Sequence, residues 1–155
     1  MANKRIGSMP AHTTVIEKID SAKQLVPADS GKLFLCYTDN LDDYVVNLPK
    51  LTEDIAGWQA KFLLLTVEAA TAGTGALSVL AYGMTAADTS SGVADANTVY
   101  GIDISGTYAH ISAKDGVEFG DEDHGPAIME FHTDGTYWYA ETQSSADVTI
   151  AAIGS

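Results

Sequence analysis

A single cysteine, Cys36, leaves this chain without an internal disulfide. It lies in the apolar run Leu33–Tyr37, where a small buried hydrophobe is expected and no histidine is near in sequence to activate a thiolate. Long hydrophobic runs are missing too. None approaches the ~20 residues needed to cross a bilayer, so no membrane partner is expected. Lys4 and Arg5 are followed by no apolar core, so no secretory signal is visible. Cations are scarce: eight lysines and arginines stand against 21 acids, a net charge of −13. Such a chain repels phosphate backbones, which argues against nucleic acid as a partner.

The charge is unevenly spread. Residues 1–32 hold five cations (Lys4, Arg5, Lys18, Lys23, Lys32) against three acids, a net of +2. The rest holds only Lys50, Lys61 and Lys114 against 18 acids, a net of −15. Residues 1–12 carry Gly7 and Pro10 without periodicity and read as flexible. The expected organisation is a flexible N-terminal arm over residues 1–27, able to attach to an acidic partner, followed by a β-domain over residues 28–155.

Within that domain, short β-branched and aromatic runs are separated by turn residues. Lys32–Tyr37, Tyr44–Leu48, Trp58–Glu68, Leu77–Tyr82, Val99–Ile104, Thr107–Ala113 and Val148–Ile153 read as strands. Phe62–Val67 is apolar enough to be a strand buried on both faces, and periodicity alone leaves a helix open there. Leu51–Gly57 suits one helical turn. Residues 83–98 form a long loop rich in small and polar residues, a pattern common in contact surfaces. Ala127–Thr133 and Thr136–Glu141 flank Asp134-Gly135, a two-residue hairpin signal. Lys114-Asp115-Gly116-Val117 is a second Asp-Gly turn signal. No internal repeat stands out. The fold expected is all-β, a compact antiparallel sandwich or barrel of the jelly-roll or β-tulip kind, with nine or ten short strands.

Chemistry-bearing constellations are weak. Asp115, Glu118, Asp121, Glu122, Asp123 and His124 form a carboxylate-rich stretch, but the spacing fits no calcium loop. His110, His124 and His132 follow no transition-metal spacing. There is no G-x-S-x-G elbow, and Gly73-Thr74-Gly75 lacks the lysine of a phosphate loop. No catalytic, cofactor-binding or metal residue is assigned, and no enzyme is expected. Tyr137-Trp138-Tyr139 puts the two tyrosines on one strand face and the tryptophan on the other. One face must be core, and Trp138 is expected to pack there; the other face suits a sugar-stacking platform or a subunit interface.

Four segments in order carry a resemblance: Ala28-Asp29-Ser30-Gly31-Lys32; Val45-Val46-Asn47-Leu48-Pro49; Gly57-Trp58-Gln59-Ala60-Lys61-Phe62; and Thr133-Asp134-Gly135-Thr136-Tyr137-Trp138-Tyr139-Ala140. Over residues 28–141 the chain resembles head decoration (cement) proteins and small fibre β-domains of tailed-phage virions. The resemblance implies a structural protein of the virion, placed on the capsid surface after synthesis in the host cytoplasm. It implies a homotrimer partnered by the major capsid protein, and no catalytic residues. The alternative is a receptor- or glycan-binding module of a phage fibre or tail, with Trp58 or Trp138 as its stacking surface.

Overall fold

The computed structural model describes residues 14–37, 44–65, 76–85, 98–103, 109–119, 126–144 and 150–153. They form twelve strands in two mixed sheets and two short 3-10 turns. The chain first winds between the sheets. β1 (Ile16–Ile19), β3 (Leu33–Tyr37) and β5 (Gln59–Leu65) enter one sheet; β2 (Lys23–Gln24), β4 (Tyr44–Asn47) and β6 (Leu77–Leu80) enter the other. Each new strand lies parallel to the one before it in its own sheet. The second half closes both sheets. β7 (Val99–Asp103), β8 (Ala109–Lys114), β10 (Ala127–Thr133) and β11 (Trp138–Ser144) complete a seven-stranded sheet in the order β1-β3-β5-β10-β11-β7-β8. β9 (Gly116–Phe119) and β12 (Ile150–Ile153) complete a five-stranded sheet, β12-β9-β6-β4-β2.

The all-β expectation therefore holds, but the purely antiparallel one does not. The six early strands pair in parallel because each connection crosses to the opposite sheet before returning. A repeat is also present. The 3-10 turns Pro27–Asp29 and Glu53–Ile55 each lead into a sheet strand through one further turn. Ser30 and Ala56 have φ/ψ near −55°/135° and −55°/129°, and Gly31 and Gly57 follow at φ 82° and 86°. That is type II geometry, which demands a glycine at its second central position. Both turns are closed by a backbone bond, Lys32 N–H to Asp29 O at 3.2 Å and Trp58 N–H to Ile55 O at 2.9 Å. The sequences hide the repeat, since Asp29 and Ile55 fill equivalent buried places.

Alternation sets the core. β3 buries Phe34 and Cys36; β10 buries Ala127, Met129, Phe131 and Thr133. Phe62 stacks on Phe34 at 5.2 Å and meets Phe131 edge-on at 5.8 Å. Val46, Leu77, Val79 and Phe119 of the other sheet join the same cluster. Each such side chain contributes about 1.5–3 kcal/mol on burial. Over residues 61–64 β5 is not buried on both faces: Phe62 and Leu64 point inward, Lys61 is exposed and Leu63 is half-buried; Thr66 and Val67 lie outside the described residues.

The boundary expected at residue 27 is corrected. β1 pairs with β3 and β2 with β4, and Ile19 and Leu25 are buried in the main core. Residues 14–27 belong to the body; residues 1–13 lie outside the described residues. This segment also carries an ion cluster. The Lys32 ammonium donates to Glu17 Oε2 at 2.7 Å and Asp29 Oδ1 at 2.6 Å, and Lys23 also pairs with Glu17. The bond from Lys23, then that from Lys32, lowers the Glu17 carboxyl below its ordinary 4.5. Burial opposes ionisation of Asp29, but the bonds from Lys32 and the Val26 N–H outweigh it and hold it below 3.8. Folded values below the unfolded ones mean stabilisation that is fully present above about pH 4.5 and lost as pH falls through the depressed values. Acid titration of the wild type and of Lys32→Met, followed by circular dichroism, should show a shallower acid loss in the variant.

Candidate functional site

Three of the four segments that carry the resemblance converge at one end of the seven-stranded sheet; residues 45–49 lie in the other sheet. Gly31 N–H donates to Gln59 O at 2.7 Å, and Gln59 N–H donates to Ser30 Oγ at 3.3 Å. Gly57 N–H donates to Thr133 O at 2.8 Å, and Thr133 N–H returns to Trp58 O at 3.1 Å. The β10–β11 hairpin thereby clamps the second 3-10 turn, which sits beside the first.

The hairpin exists as expected, with a different register. Thr133 pairs with Trp138, so the loop is the four residues 134–137 and β11 begins at Trp138. Asp134 organises it. Its Oδ1 accepts the N–H of Thr136 at 2.8 Å and of Tyr137 at 2.9 Å, and its Oδ2 accepts the Tyr139 hydroxyl at 2.9 Å. These donors, Tyr137 N–H first, hold the Asp134 carboxyl below its ordinary range. The same bond to Asp134 raises the Tyr139 phenol.

Neither tryptophan offers a stacking surface. Trp138 is fully buried and Trp58 nearly so, meeting edge-to-face at 5.1 Å. Tyrosines instead line the outer face of this sheet, while Tyr82, 53% exposed, follows β6 in the other. Tyr139 pairs across the ladder with Tyr100, which meets Tyr137 edge-on at 5.2 Å. His132 stacks against Tyr139 at 6.1 Å, and Tyr137 is 40% exposed. The alternation Tyr137-Trp138-Tyr139 marked the two faces, and Trp138 takes the core face as expected.

The acidic stretch is only partly placed. Asp115 is buried where the chain crosses between sheets, so the Asp-Gly signal there is a crossover rather than a hairpin. Glu118 accepts the Ser78 hydroxyl at 2.8 Å. Asp121, Glu122, Asp123 and His124 lie outside the described residues, as do Gly73-Thr74-Gly75 and most of the 83–98 loop. The His110 side chain is likewise not described. Among the described residues no cluster of three or more His, Cys, Asp or Glu side chains is placed to hold a metal, and no helix is long and apolar enough to cross a membrane. Cys36 is buried, and burial pushes its thiol up to about 12. A thiolate-directed reagent at neutral pH should label Cys36 only as fast as the protein unfolds; rapid labelling of the native chain would contradict this placement.

The chain matches no family model, no curated protein and no solved structure.

Proposed function

We infer that this chain is a structural protein of a tailed-phage virion, a capsid decoration protein that sits on the outer head surface as a homotrimer. The observation that carries the reading is the convergence of the resembling segments. Three of the four, far apart in sequence, are hydrogen-bonded neighbours at one end of the sheet. Residues that match a family's turns by accident have no reason to meet. The two sheets share one core, the arrangement a sandwich requires.

In this reading the protein acts by geometry. A trimer that straddles neighbouring capsid subunits makes its later contacts intramolecular. Effective concentration then lets individually weak contacts add to firm anchoring, which opposes the pressure of packaged DNA. Residues 1–13, with Lys4 and Arg5, are the proposed attachment arm, opposite in sign to the acidic body. Quantitative mass spectrometry of purified particles tests the reading. A decoration protein occurs in fixed high ratio to the major capsid protein; a few copies per particle would overturn it.

A second reading is favoured by one observation, the outer-face row of His132, Tyr139, Tyr100 and Tyr137 beside Asp134. Aromatic faces with polar edges suit a pyranose ring, so a glycan- or receptor-binding module of a fibre or tail is the alternative. Glycan-array binding that Tyr137→Ala abolishes would favour it.

A further inference from the structure

We propose that the outer face of the β1-β3-β5-β10-β11 region is a self-association surface. It would pair the β1–β3 side of one copy with the β10–β11 side of a second copy. The inference deepens the oligomeric part of the proposed function and rests on that reading for its stoichiometry.

The ladder registers define the surface. One cross-strand row runs Lys18, Leu35, Leu63, Ile128, Gln143. The adjacent row runs Ile16, Leu33, Lys61, Glu130, Glu141. All face away from the core, because their strand neighbours Phe34, Cys36, Phe62, Leu64 and Met129 are the buried ones. Leu33, Leu35, Leu63 and Ile128 are only half-buried, and Ile16 is 60% exposed. A lone sheet with one wet face would carry polar residues here. Instead the centre of the face is a continuous aliphatic stripe.

Charge decides what covers it. The uneven distribution along the sequence becomes an uneven distribution across this face. Lys18 and Lys61 lie on the β1–β5 side, and Glu130 and Glu141 on the β10–β11 side. Glu130 and Glu141 stand directly opposite each other, an unfavourable pair on one face. Lys61 reaches Glu130 at 2.9 Å. Glu141 thus presents a carboxylate at the rim of the stripe. At the opposite rim the Lys18 ammonium lies over the Tyr37 ring and 3.4 Å from Asp20, an exposed and therefore weak pair that a second copy's carboxylate can replace. The β1–β3 side of one copy is complementary to the β10–β11 side of the next, a heterologous contact that can close as a three-fold ring. A net charge of −13 per copy makes unguided association unfavourable, so matched rims set which orientation succeeds.

Light scattering of the full chain across the micromolar range tests this. A trimer of the 16.3 kDa chain is expected for the wild type, and Leu63→Glu should reduce the mass to that of the monomer. Lys18→Glu and Glu141→Lys, both at exposed positions, should each weaken association at least tenfold. Combining them in one chain should restore it. The charge-swap series keeps the proposal decidable if Leu63→Glu fails to fold, which circular dichroism reveals. A monomeric wild type overturns the proposal, and so does an oligomer that none of these variants disturbs. A dimer that the same variants dissolve keeps this face and rejects the trimer. An oligomer dissolved by them but absent from virions keeps this face and rejects the decoration reading.

Discussion

Deleting residues 1–27 is expected to abolish the cooperative thermal transition. The deletion removes β1 and β2, and with them the two core side chains Ile19 and Leu25. Loss of a buried aliphatic side chain costs about 2–5 kcal/mol when it leaves a cavity. Two such losses approach the whole stability of a small domain, about 5–15 kcal/mol. The cost does not stop there. Phe34 and Cys36 face the core from β3, which becomes the sheet edge once β1 is gone. Glu17 is also lost as a partner of Lys32. Circular dichroism with a melting scan decides the matter. A deleted chain that melts cooperatively near the wild-type temperature would show that β1 and β2 are decoration on a body complete without them.

That segment also marks where sequence reasoning reached its limit. Ile16–Ile19 has the composition of a strand, yet its partner β3 lies beyond a crossover, and parallel pairing leaves no local signature. Lys23–Gln24 is too short and too polar to announce itself, although it pairs with β4. β9 was concealed for another reason. Asp115-Gly116 has the composition of a hairpin turn, while the chain there passes from one sheet to the other. Strands with clean alternation were legible in detail. The expected Ala127–Thr133 matches its strand to the residue, and the expected Lys32–Tyr37 differs from Leu33–Tyr37 by one, because each buries every second side chain. Core packing of Trp138 was expected and is found, whereas burial of Trp58 was not legible. Period-2 patterning assigns residues to faces, and only the second sheet determines which face is covered. The convergence of three resembling segments rests on four backbone hydrogen bonds between residues distant in sequence, which no single-segment pattern encodes.

The hairpin loop supplies the second large effect. Gly135→Val is expected to destabilise the domain by about 2–5 kcal/mol, from two terms of different origin. The first is conformational. Gly135 sits at φ 93°, where a side chain costs about 1–2 kcal/mol. The second is steric. A Cβ at Gly135 would stand 2.9 Å from Thr52 O and 3.2 Å from Glu53 Cα, both backbone atoms of the clamped turn. Forcing atoms into a packed site costs about 1–3 kcal/mol more. Gly31 separates the two terms. Its φ is 82°, and a Cβ there meets nothing within 4 Å. Gly31→Ala should therefore lose the conformational term alone, and Gly135→Ala should lose distinctly more. Chemical denaturation of both alanine variants gives the difference directly. If the two losses are equal, the β10–β11 loop does not press on residues 52 and 53, and the contact that joins the hairpin to the rest of the candidate site is not tight enough to couple them.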